Sequence, residues 1–221
     1  MEDLLSYYRY DMRVMHIAGS NLQQGFKSDN ASYYFSHIPW VWGWASWKRA
    51  WKYYDVNISS YKKVIMEEDH QLFHHKEMVF HYKQIFNAVY ADGANTGDSR
   101  WARTVWDYQW FYTVNVQHGL CIQPNENLIS NIGFTKDALH TKEPDHPYNN
   151  IPVVPMEFPL IHPKEMYPNE QADLLMILRE VASKSVLRWM ARSLLKEWLP
   201  GFIQDWKLLL KARRINKRYK Q

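Results

Sequence analysis

With 221 residues, 46% of them hydrophobic and 11 Trp and 15 Tyr among them, the chain can bury a proper core and is not disordered over most of its length. Its single cysteine, Cys121, excludes an internal disulfide framework and any multi-cysteine metal site, and points to a reducing compartment. The net charge of +4 divides unevenly: ten Lys or Arg residues against Glu197 and Asp205 make Arg188 to Gln221 +8, leaving −4 for the remainder. That asymmetry points to an anionic partner for the tail alone, and no nucleic acid is expected.

No run approaches the ~20 apolar residues of a membrane span, and the N-terminus lacks a signal-peptide pattern. A cytoplasmic protein is expected, soluble or peripheral at the inner face of the cytoplasmic membrane.

In chain order, Met1 to Tyr10 reads as the end of a helix, and RVMHIAGSN as a buried strand feeding a loop. Ser20 to Ser32 is polar and reads as a surface loop, followed by a strand at Ser32 to Ser36. Ile38 to Asp55 then crowds Trp40, Trp42, Trp44, Trp47 and Trp51 around Gly43. Trp47 and Trp51 are four apart in a helical stretch, the spacing of a buried helix face. Trp42 and Trp44 flank a glycine that permits a close approach, so they are assigned to a sugar-binding surface, with core packing as the alternative.

Tyr61 to Tyr90 reads as one or two helices, and Ala91 to Ser99 as a turn-rich loop. Thr104 to Val116 carries apolar residues at helical spacing and stops at Gly119, before a strand at LCIQP. Asn125 to Lys142 is loop-like, and the proline-rich stretch from His146 to Pro168 reads as an extended strap. The chain then ends in two helices broken at Pro200-Gly201. Their basic positions, Arg188, Arg192, Lys196, Lys207, Lys211 and Arg214, accompany apolar stripes bearing Trp198 and Trp206. Such an amphipathic hairpin lies on an anionic membrane surface or packs on its own domain with a solvated basic face.

Asp107, in TVWDYQW, is a carboxylate among aromatic residues at a helix start. Partial desolvation raises its proton affinity and fits it for general-base work, but Thr104-x-x-Asp107 also has the spacing of a capping box. His140 is read as a metal ligand or phosphate partner, or as a structural histidine. His70 and His74 form an i, i+4 pair without a zincin carboxylate and read as a charged helix surface. No phosphate-loop, dinucleotide-binding or nucleophile-elbow motif occurs.

Taken together, RVMHIAGSN, SYYFS, VWGWASWKRAW, TVWDYQW, LCIQPNENLISNIGF and LHT resemble, in this order, the C-terminal half of bacterial nucleotide-diphospho-sugar transferases. These are similar to glycosyltransferase family 2 and have the GT-A fold. The resemblance covers residues 1 to about 145. It implies an α/β fold, a partial GT-A-type domain with a mixed sheet and flanking helices over 1–168; the basic amphipathic helical tail over 169–221 is read from its own pattern and lies outside the resemblance. The resemblance implies transfer of a sugar from a nucleotide-diphosphate donor to a hydroxyl of a glycan or lipid-linked acceptor, with Mn²⁺ or Mg²⁺ as cofactor. Asp107 would be the catalytic base, with Trp42, Gly43, Trp44 and Trp106 at the acceptor. Asn131 and Gly133 would shape the diphosphate loop, and His140 would reach diphosphate and metal.

Full-length members of that family carry an N-terminal nucleotide-binding half ending in an Asp-x-Asp-like motif. No such motif precedes Arg13. The resemblance therefore implies a truncated chain, inactive alone, lacking its main metal ligands and left with an unpaired sheet edge. A non-catalytic carbohydrate-binding or membrane-surface module is the alternative.

Overall fold

Three short runs of β-branched, apolar and aromatic residues become strands in the computed structural model of the chain. They are β1 (Val14–Ile17), β2 (Tyr33–Ser36) and β3 (Leu120–Pro124). The structure describes residues 1–23, 27–68, 76–96, 105–135, 137, 146 and 148–181. Six helices are described: α1 (Glu2–Tyr7), α2 (Lys48–Trp51), α3 (Tyr61–Glu68), α4 (Lys76–Thr96), α5 (Trp106–Val116) and α6 (Glu170–Val181). The fold is mixed α/β. Two units divide it, Met1–Ala172 and Asp173–Gln221.

The sheet has the order β1-β3-β2, with β3 parallel to β1 and antiparallel to β2. Every strand residue is buried, as expected of a sheet covered on both faces. Val14, Ile17, Tyr33, Phe35, Leu120 and Ile122 pack on one face with Leu4 and Tyr8, joined by Leu160 and Met166 of the strap. Met15 and Cys121 pack on the other with Ala50 of α2 and with Trp110 and Val114 of α5. Helix α4 lays Tyr82 and Phe86 against α5, where the Tyr82 and Phe111 rings stack with centroids 4.0 Å apart.

Several expectations are corrected. Helix α4 runs through Ala91–Thr96, which reads in sequence as a loop. Glycine costs a helix only about 1 kcal/mol, and the apolar face at Tyr82, Phe86 and Val89 carries the helix past Gly93. The segment after β1 does not begin at the surface: Ser20, Asn21, Leu22 and Gln23 are buried. Asn21 is satisfied within the fold, its amide donating to the carbonyls of Pro124 (2.9 Å) and Asn125 (3.0 Å), whereas Ser20 Oγ and Gln23 Oε1 are buried without a hydrogen-bond partner among the described residues. At the end of α5 it is His118 that takes the left-handed conformation, at φ 50°. The His118 and Gly119 N–H groups bond to Asn115 and Val114 as a Schellman motif requires. Gly119 is needed because a Cβ there would lie 2.5 Å from Met15 Sδ.

Neither sheet edge is bare. Ile17 exchanges two backbone hydrogen bonds with Ala45, 2.8 and 2.9 Å, on the outer side of β1. Beside β2, Ser32 N–H donates to the Ile161 carbonyl and Asn169 N–H to the Phe35 carbonyl. The strap is thus a sheet-edge cover, the device that closes a template for unwanted pairing. Tyr33 ties it further: its hydroxyl shares hydrogen bonds with Tyr8 (2.6 Å) and His162 Nδ1 (2.7 Å). Burial, reinforced by the Tyr8 contact, holds the Tyr33 phenol above its ordinary pKa, so its proton stays in this chain of bonds.

Asn169 caps α6, its Oδ1 accepting from Ala172 N–H at 2.9 Å. In the second unit the described residues 173–181 continue that helix, with Met176, Ile177 and Leu178 buried. The Pro200-Gly201 break and the positions assigned to a membrane surface, Arg188, Arg192, Lys196, Trp198, Trp206, Lys207, Lys211 and Arg214, lie outside the described residues. Among the described residues no helix is long and apolar enough to cross a membrane.

Three loops meet beyond the carboxyl ends of β1 and β3. A Cβ on Gly19 would lie 2.5 Å from the Gly43 carbonyl oxygen, and one on Gly43 would lie 2.5 Å from Ile129 Cδ1. Gly43 also holds φ 58°. Gly43→Ala is therefore expected to lower urea-unfolding stability by about 2–3 kcal/mol, from left-handed strain and overpacking together. Adding Ile129→Ala should recover the steric part and leave about 1 kcal/mol of backbone strain, seen as a favourable coupling in the double-mutant cycle.

Candidate functional site

The site is built on an irregularity in β1. Pairing with β3 passes from Val14↔Leu120 to His16↔Cys121, so one residue of β1 is extra. Such a bulge puts two consecutive side chains on one face, and Met15 and His16 accordingly both turn toward α5. His16 is fully buried. Trp110 Nε1–H donates to its Nδ1 at 3.0 Å, and its Nε2 lies 2.8 Å from the Trp40 carbonyl oxygen. An indole N–H can only donate and a carbonyl can only accept, so the ring is the neutral Nε2–H tautomer.

Four indoles surround that imidazole or each other. Trp44 stacks on His16 with centroids 5.3 Å apart and planes 12° apart. It also touches Trp51, Trp106 and Trp110 at centroid distances of 5.7, 5.4 and 6.0 Å. Trp51 in turn stacks on Tyr54 at 4.6 Å. Along the outer side of β1 this cluster opens into a depression of about 400 Å³ lined by Trp44, Ala45, Ser46, Trp47, Lys48 and Trp51.

The helical spacing of Trp47 and Trp51 predicts a buried pair, and the structure corrects this. Trp47 is the N-terminal flank of a four-residue helix and is half-buried, its Nε1–H donating to the Leu5 carbonyl at 3.0 Å. Trp51 is 40% exposed, and the position that α2 buries is Ala50. Trp42 and Trp44 do not share a surface. Gly43 sends Trp42 to the opposite side, edge-on to Phe134 (5.8 Å) and Tyr148 (6.2 Å).

Asp107 is half-buried in the first turn of α5, next to Trp106. The residue flanking that helix is Val105, so Asp107 occupies the second helical position, while Thr104, the other member of the capping-box alternative, lies outside the described residues. Its charge acts on Tyr54, whose phenol is raised first by burial and then by Asp107 and Asp55. Asp107 thus adjoins the tryptophan cluster without lining the depression. Asn131 and Gly133 form a tight turn in which Asn131 Oδ1 accepts from Gly133 N–H at 2.8 Å. His140, His70 and His74 lie outside the described residues. Among the described residues no three His, Cys, Asp or Glu side chains come together as cation ligands, so none is assigned to Mn²⁺ or Mg²⁺.

No protein-family model, curated protein or solved structure matches the chain.

His16 is the central residue that the sequence pattern does not single out. It stands in an apolar run, and its partner Trp110 is 94 positions away. Burial pushes His16 from its ordinary 6.5 down to about 4, opposed by the Trp40 carbonyl. The unfolded chain binds a proton below about 6.5 that the folded chain refuses, so this contribution to stability is complete above that pH and is lost on acidification toward 4. The loss amounts to about 3 kcal/mol across the window. His16→Gln keeps a donor and an acceptor but cannot titrate. Its unfolding free energy should fall less steeply than wild type between pH 6.5 and 4, and parallel profiles would refute the assignment.

Proposed function

We propose that this chain is the acceptor-side half of a nucleotide-diphospho-sugar transferase of GT-A type, acting in cell-surface glycan synthesis. One observation carries the reading: an open depression walled by three indoles, with Trp51 exposed, beside a sheet containing a parallel strand pair. Indole faces suit the C–H faces of a pyranose, whose hydroxyls remain at the rim in water.

In this reading Trp44 and Trp51 form the acceptor platform with Trp106 packed against both, and Gly43 provides the turn between Trp44 and Trp42. Asp107 takes the proton of the acceptor hydroxyl as it attacks the donor's anomeric carbon, and the nucleoside diphosphate departs. In this reading donor binding and turnover require a nucleotide-binding half. The basic segment from Arg188 onward holds the domain at an anionic membrane surface, near lipid-linked acceptors.

A non-catalytic carbohydrate-binding module is the second reading, favoured by the position of Asp107 outside the wall of the depression. Both readings require sugar binding. Trp51→Ala should weaken binding of a pyranose oligomer about five- to tenfold by calorimetry, the loss of one aromatic contact. The two part at Asp107. In a chain joined to a nucleotide-binding half, Asp107→Asn should lower transfer by about 10²-fold or more while acceptor affinity holds. Unchanged transfer would remove Asp107 from the chemistry.

A further inference from the structure

The polar hydrogens around the depression are unequally committed. The Ser46 hydroxyl donates to the Met15 carbonyl at 2.7 Å, and the Trp47 indole N–H to the Leu5 carbonyl. Arg49, two residues after Trp47, is turned away: Nε and Nη2 donate to the carbonyls of Arg9 and Tyr8 at 2.9 Å each, with the guanidinium over the Trp47 ring. Lys52 sits over the Tyr53 ring, 4.7 Å from its centroid. Lys48 differs from all of these. It is exposed, lines the depression, and belongs to neither of the ion pairs of the described residues, Arg13–Asp11 and Lys27–Glu126. No Asp or Glu is in the lining. In a body whose net charge is −4 without its tail, the depression therefore has in its lining, together with Trp44, Trp47 and Trp51, an ammonium that joins no ion pair among the described residues.

We infer that the depression selects an acidic pyranose, one bearing a carboxylate, over its neutral counterpart. Resting on the carbohydrate reading above, this adds the class of sugar. A hexuronate keeps the ring C–H face that stacks on Trp44 and Trp51, and replaces the exocyclic CH₂OH by a carboxylate. Lys48 supplies the charge-assisted hydrogen bond to that group. Because the pair is exposed, the preference is modest and salt-sensitive.

The test compares a uronate oligosaccharide with a neutral oligosaccharide of the same length, titrated into the full chain and followed by tryptophan fluorescence. At low salt the uronate should bind about two- to fivefold more tightly, the range an exposed ion pair supports. Lys48→Gln and 0.5 M salt (roughly a 4 Å screening length) should each abolish that difference while neutral-sugar affinity is kept. Lys62→Gln, an equal change of net charge at the Tyr90 ring, should leave it intact. Equal affinity for the two sugars, or a preference that survives Lys48→Gln, would overturn this inference and leave the carbohydrate reading standing. No response to either sugar would overturn both.

Discussion

The extra residue in β1 is the constraint on which the rest of this molecule depends. A regular strand would point Met15 and His16 to opposite faces, and one of them would fall among the apolar contacts of α1 and the strap. The bulge places both beneath α5, so that an imidazole can join Trp110 to the Trp40 carbonyl across the tryptophan segment. Both partners are ordinary until they are buried. Left without His16, an indole N–H and a backbone carbonyl would each be unsatisfied, at about 1–3 kcal/mol apiece. The bulge, the tautomer and the position of the Trp44 ring are therefore one arrangement.

A three-stranded sheet has little area, and here aromatic mass and edge covers replace the strands that larger sheets would supply. The tryptophan segment closes the β1 edge through Ala45, and the strap lies along β2. Each cover also carries side chains into a core: Trp47, Leu160 and Met166 pack on one face, Val41 and Trp44 on the other. The depression lies where the first cover leaves the sheet, because the backbone bonds to Ile17 hold it close while α2 leads the chain outward. Gly19 and Gly43 permit that proximity, and Ile129 fills the space that any Cβ would take.

The strands were readable because each is a short apolar run bounded by polar or glycine-bearing residues. Helix α5 was readable from the spacing of Trp106, Trp110 and Val114. What escaped was set by distant partners. The burial of Ser20 to Gln23 depends on Asn125 and Asn127, more than 90 positions away, which accept and brace what reads locally as a polar loop. The exposure of Trp51 follows from α2 turning Ala50 to the core instead, which the spacing of Trp47 and Trp51 does not state. His16 carries no local sign of its role, since one histidine in an apolar strand has the same sequence appearance whether it is idle or bridging. Asp107 was found at its helix start, but whether it caps or faces the cluster turned on a single residue of register at Val105.

The internal use of polar hydrogens bears on what the tryptophan surface can recognise. Trp110 and Trp47 spend their N–H groups on His16 and Leu5, and Ser46 spends its hydroxyl on Met15. These bonds hold the rings in place before any ligand arrives, so less ordering entropy remains to oppose binding. They also remove donors that would otherwise read individual hydroxyls. On the carbohydrate reading, a surface with fewer such donors leans more on the shape of the C–H face and on charge than on the hydroxyl pattern. Rigidity and chemical breadth then have the same origin: the bonds that fix Trp47, Trp110 and Ser46 also withdraw those donors and leave the Lys48 ammonium to discriminate.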